Sequence, residues 1–103
     1  MDSLELAFHE AMIDIYHRAK DETGYTPSYF LQMVNEMGGV AAAKRLICSS
    51  APSDGYRKLW ELKRLDLSVE ALATCDSKWK PLFSRQELKS ARERLAEYDF
   101  ECK

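Results

Sequence analysis

His9 and His17 are the only imidazoles in this chain, and both fall in one amino-terminal stretch. Eight positions apart, they sit roughly 80° from each other around a helix. A helical zinc pair uses the i, i+4 spacing, and the HExxH pattern that supplies a general base beside it is absent. His9 could act as a base only if a Ser or Cys reached it from another helix; otherwise both histidines read as surface or boundary residues. Glu10 and Asp14 form an i, i+4 carboxylate pair, which on a solvated helix face amounts to weak repulsion. Cys48, Cys75 and Cys102 are spaced by 27 residues each. An odd count without a CxxC pair predicts neither a disulfide framework nor a zinc site, so the thiols are expected to be buried or incidental. Gly38-Gly39 is not a phosphate loop, because no strand precedes it and no GKS or GKT follows. These residues assign no catalytic group, metal ligand or cofactor, and the expectation is a protein that is not an enzyme.

The elements around these residues read as helices throughout. With 46% apolar residues, four Gly and three Pro in 103 residues, the composition favours regular segments around one modest core. Leu4, Phe8, Ala11, Met12, Ile15 and Ala19 recur at helical spacing and predict a core-facing helix from Ser3 to about Glu22. Gly24 is placed to end it, and Thr26-Pro27 to start a second helix to Met37, with Thr26 as its cap and Pro27 at its first position. Gly38-Gly39 separates a third helix, Val40 to Cys48, whose Ala41–Ala43 run permits close approach by a neighbour. Ser53 or Asp54 caps a fourth helix to about Lys63, and Asp66 or Ser68 a short fifth, Val69 to Thr74. Asp76 to Pro81 reads as a loop, with Trp79 and Phe83 plugging the core. Ser84 and Glu87 form a capping box for a sixth helix that buries Leu88, Ala91, Leu95 and Tyr98. No segment has the period-two alternation of a strand. The expected fold is all-α, a compact single-core bundle of about five to six short helices, with residues 1–103 as one domain.

Several of these segments, FLQMVNEMGG, GGVAAAKRLI, LWELKRLDLSVEAL and the closing LF…EL…ARERL, carry a resemblance. Between about Phe8 and Tyr98 the chain resembles a widespread family of short, functionally uncharacterised prokaryotic all-helical proteins sharing GGxxAAKxLI and LWExxRLDLSxEAL. The resemblance implies a prokaryotic helical module and brings no activity, cofactor or site residue with it.

Charge and apolar patterning leave two candidate surfaces. Residues 1–43 hold seven acids and two bases, and residues 44–103 thirteen bases and ten acids. Lys44, Arg45, Arg57, Lys58, Lys63 and Arg64 crowd one stretch, interleaved with Tyr56 and Trp60, which suits phosphate contacts and stacking. Helices two and three resemble a helix-turn-helix in outline. Against a nucleic-acid reading stand the acidic total, a third helix with few long polar residues, and the adjacency of Trp60 to Leu59, which predicts a core position. The second surface lies on helix one. Leu6 and Ile13 project away from its main stripe, flanked by His9, Tyr16 and His17. That strip packs either against the chain's own carboxy-terminal segment or against another protein chain, a copy or an unrelated partner. No run reaches the ~18 apolar residues of a membrane helix, and the acidic start lacks the features of a secretory signal, so a cytoplasmic location is expected. The reading is a small helical protein-binding or accessory module acting through a helix face, with nucleic-acid binding by residues 44–64 as its alternative.

Overall fold

Phe8 and Met12 have no exposed surface, and the rest of the molecule is arranged around the helix that carries them. The computed structural model describes residues 3–102. Among these residues six α-helices form, α1 (Ser3–Thr23), α2 (Ser28–Met37), α3 (Gly39–Cys48), α4 (Asp54–Glu61), α5 (Val69–Cys75) and α6 (Arg85–Glu97). Two 3-10 segments, Leu65–Leu67 and Ser77–Leu82, join the last three, and no strand occurs among the described residues. The all-α compact bundle expected from the periodicity is the fold observed.

Local chemistry explains most of the boundaries. Gly24 and Gly38 adopt φ of +79° and +87°, the left-handed region where a side chain is disfavoured. Gly38 therefore serves two helices at once: its N–H closes α2 on Val34 O at 2.9 Å, and its carbonyl receives the Ala42 N–H of α3. The Ser53, Ser68 and Ser84 side chains accept N–H groups at the starts of α4, α5 and α6. Ser84 and Glu87 complete the capping box. Pro27 sits one position earlier than expected, as the cap residue of α2, and α2 begins without a side-chain cap. The expected loop at 76–81 is a 3-10 segment capped by Asp76.

Two apolar clusters fill the interior, and α1 contributes to both. The larger gathers Phe8, Met12 and Ile15 with Val34, Ala42, Ala43, Ile47 and Ala91. Trp79 and Phe83 meet the Phe8 ring edge-to-face at centroid distances of 5.1 and 5.3 Å, a favoured aromatic arrangement. The smaller cluster joins Ala19, Tyr56, Leu59, Leu65, Leu67, Ala71 and Leu95, with Tyr98 and Phe100 packed on it. α3 reaches α1 at Gly39: a Cβ there would lie 2.6 Å from His9 Cα, so only glycine admits this approach.

Two helices end in reversals built without glycine. At the end of α4, Lys63 N–H reaches Trp60 O and Arg64 N–H reaches Leu59 O; at the end of α6, Asp99 N–H reaches Ala96 O and Phe100 N–H reaches Leu95 O. Both are Schellman closures. Their pivots, Lys63 and Asp99, take φ of 61° and 58°, which non-glycine residues rarely adopt.

The cysteines depart from expectation. Cys75, at the end of α5, is bridged to Cys102 in the tail, with Cα atoms 5.2 Å apart, and Cys48 is a free, exposed thiol. Linear spacing gave no sign of this, because the pairing depends on α6 turning the tail back onto α5.

A candidate cleft walled by tyrosines

An open cleft of about 320 Å³ lies where α1 to α5 come together. α1 contributes Ile15, Tyr16 and Ala19, while the loop into α2 and its first turn contribute Tyr25, Pro27, Tyr29 and Phe30. Met33 and Leu46 deepen it, and the first turns of α4 and α5 close it with Asp54, Gly55, Tyr56, Val69 and Glu70. Its volume lies at the lower end of the roughly 300–1,000 Å³ of ligand sites. Tyr29, 71% exposed, stands at the rim, while Tyr16 and Tyr56 are buried in the walls. The Tyr25 hydroxyl stands over the start of α4, where a Cβ on Gly55 would meet it at 3.4 Å. Burial raises the Tyr25 pKa, and the Asp54 carboxylate adds to the rise.

Behind the cleft lies a charged group with almost no solvent contact. Glu70 and Arg94 have 5% and 11% of their side chains exposed, with Arg94 Nη1 2.9 Å from Glu70 Oε2. The same guanidinium donates to Leu46 O at 3.0 Å and to Ser49 O at 2.6 Å, covering carbonyls at the end of α3. The Tyr56 hydroxyl in turn donates to Arg94 O at 3.2 Å. One arginine thus ties α3, α5 and α6 together and seats a tyrosine of α4. Burial pushes the Glu70 carboxyl above its usual range, with Arg94 opposing that shift. The Tyr56 phenol is raised by burial first and by Glu70 second.

The helix-one residues do not form one free strip. Leu6 is 48% exposed. His9 is half-buried, and its Nδ1 accepts the Gly39 N–H at 2.9 Å. Ile13 packs against the larger core cluster. Tyr16 is buried in the cleft wall, and exposed His17 lies edge-on to its ring at 5.3 Å. The dispersal has a simple cause: α2, α3, α5 and both 3-10 segments contact α1, so its cover comes from several sides.

The basic residues are likewise split. Lys44 approaches Glu87 at 3.5 Å, and Arg45 donates to Met37 Sδ. Arg64 pairs with Glu22 at 2.7 Å and with Asp66 at 3.0 Å. Arg57, Lys58 and Lys63 are exposed and have no ion-pair partner among the described residues. Trp60, expected in the core, is instead 49% exposed and rests edge-on against Tyr98 at 5.3 Å. Its neighbour Leu59 takes the inward position, and one helix step carries Trp60 off that face.

The sequence reading missed Tyr25, Tyr29, Glu70 and Arg94. One signal was present: a carboxylate inside the apolar run Val69–Leu72 is out of place unless something answers it. Among the described residues there is no cluster of three or more His, Cys, Asp or Glu placed to hold a metal ion. No helix there is long and apolar enough to cross a membrane. Comparison with family models, curated proteins and solved structures gives no match for this chain.

Proposed function

We propose that this protein is a small helical binding module, not an enzyme, whose tyrosine-walled cleft receives an apolar anchor from a partner protein. One observation carries the reading: a cleft of about 320 Å³, open on one side, with aliphatic and tyrosine walls and an exposed tyrosine at its rim. Tyrosines bring contact area and a polar tip at low conformational cost, which is why they are enriched at interfaces. The cleft needs no cofactor to do this. Of the helix-one residues expected in recognition, Tyr16 lines the cleft, while Leu6, His9, Ile13 and His17 lie outside its lining. The prokaryotic affinity implied by the motifs belongs to the same proposal.

Tyr29→Asp tests it, because the residue is exposed and its loss leaves the core intact. A partner captured from the native host by the wild-type chain, then purified, is expected to lose about tenfold or more in affinity for the variant by calorimetry. Equal affinity for the two proteins, with circular dichroism unchanged, would refute the cleft reading.

A second reading rests on a separate observation, the exposure of Trp60 among Arg57, Lys58 and Lys63. That grouping suits stacking and phosphate contact with single-stranded nucleic acid. Fluorescence anisotropy with a labelled oligonucleotide is then expected to show salt-sensitive binding that weakens in Trp60→Ala. Absence of binding at low salt would discard this alternative.

The location is tied to the disulfide. In a cytoplasm, where thiol pools are reducing, the Cys75–Cys102 pair would be held open, so the expected cytoplasmic setting goes with the dithiol form of the protein.

A further inference from the structure

The carboxy-terminal tail is held by three features that meet at one place. Cys102 is bridged to Cys75 at the end of α5. Phe100 packs on the smaller apolar cluster, and its N–H donates to Leu95 O at 2.9 Å. Asp99 makes the reversal that brings the chain back, at a left-handed φ of 58° in a residue other than glycine. Facing the tail is the other non-glycine reversal, at Lys63. Between them lies a second cavity of about 490 Å³, lined by Lys63, Arg64, Asp66 and Ala71 on one side and Phe100, Glu101 and both bridged cysteines on the other. Both cysteines are exposed, so a reductant reaches them without prior unfolding.

We infer that residues 99–102 form a thiol-controlled latch, closed by the Cys75–Cys102 disulfide and opened by a dithiol reductant. The exchange is balanced. Two thiols of the reductant give up two protons and two electrons and become its disulfide, and Cys75 and Cys102 become thiols. The physical case is that left-handed backbone at a non-glycine residue persists only where its surroundings enforce it. At Asp99 those surroundings are the closing hydrogen bonds to Leu95 O and Ala96 O, the Phe100 contact and the covalent tie. Loss of the tie leaves the Phe100 contact and two hydrogen bonds, to Leu95 O and Ala96 O, to hold a disfavoured reversal, and so lowers the cost of opening it locally. Opening withdraws Phe100 from the smaller apolar cluster and removes one wall of this groove. This device is independent of the cleft reading, since none of the tail residues lines the cleft.

Amide hydrogen exchange on the full chain in a Cys48→Ser background, with and without dithiothreitol, tests the latch. Reduction is expected to speed exchange at the Phe100 amide by about tenfold or more, leaving α1 to α3 unchanged. Cys102→Ser is expected to give the same fast exchange without reductant. Equal protection of Phe100 before and after reduction would show that packing alone holds the tail, and would overturn the inference. So would loss of all helical signal on reduction, which would make the bridge a general staple. Two titratable thiols in the unreduced, folded Cys48→Ser protein would show that the bridge does not form, with the same consequence.

Discussion

Two arginines in this molecule make the same kind of contact in opposite surroundings. Arg94 meets Glu70 at 2.9 Å with 11% and 5% of the side chains exposed, while Arg64 meets Glu22 at 2.7 Å with 27% and 40% exposed. Distance does not separate them; solvent does. Water screens the Arg64 pairs and competes for each charge, so an exposed pair adds little. At Arg94 both charges have left water, and their desolvation is offset only while the pair and its carbonyl partners stay together. Arg94 is therefore an all-or-nothing connector for α3, α5 and α6, whereas Arg64 trims the junction of α1 with the turn after α4.

The largest effect is expected from breaking the buried pair on one side. Arg94→Ala strands Glu70 and uncovers the Leu46 and Ser49 carbonyls, and should cost about 3–5 kcal/mol in urea denaturation. The companion double variant Arg94→Met with Glu70→Leu should recover much of that loss, because replacing both charges removes the desolvation penalty together with the pair. A double variant no better than Arg94→Ala would show that the carbonyl contacts, not the carboxylate, dominate.

Next in size is the contact that places α3 on α1. Gly39→Ala puts a Cβ 2.6 Å from His9 Cα, a backbone atom that cannot move aside cheaply. Overpacking of this kind is expected to cost about 1–3 kcal/mol. His9→Ala leaves the helix in place but removes the acceptor for the Gly39 N–H, with an expected loss of about 1 kcal/mol. If Gly39→Ala were the milder of the two, the close approach would not be what fixes α3.

How far the sequence made these regions legible depends on how local their physics is. The caps at Ser53, Ser68 and Ser84 and the turns at Gly24 and Gly38 involve neighbours within a few residues; Ser84 and the glycines could be read directly, and Ser53 and Ser68 each as one of two candidates. The inward stripe of α1 and the Trp79 and Phe83 plugs follow from periodicity and size. The Arg64–Asp66 pair is local in the same way, since two positions separate its members. Arg94 is 24 positions from Glu70 and 48 from Leu46, so no spacing rule reaches it. The cleft draws on five helices, and the Cys75–Cys102 bridge on a reversal after α6. Trp60 shows a different difficulty. Its residue type favours burial, but its phase on α4 faces outward, and phase is decided by which neighbour the helix meets.

The smallest effect is the most diagnostic, because the two ion pairs should respond to acid in opposite directions. Arg64 holds the Asp66 and Glu22 carboxyls below their ordinary values of 3.8 and 4.5. Groups lowered by folding add stability above their unfolded values and lose it as pH falls through the folded ones. Glu70 is the reverse case. Burial raises it above 4.5, so its contribution is full below the unfolded value and is lost as pH climbs through the folded one. Urea midpoints of the wild type, Arg64→Ala and Glu70→Gln, measured from about pH 3 to pH 7, separate the two. Arg64→Ala should flatten the decline on the acid side and change little at neutral pH in high salt, where exposed pairs are screened. Glu70→Gln should steepen the acid decline relative to neutral pH, because it removes the one group here that gains from protonation. Parallel curves for all three proteins would mean that solvent exposure does not distinguish the arginines as argued.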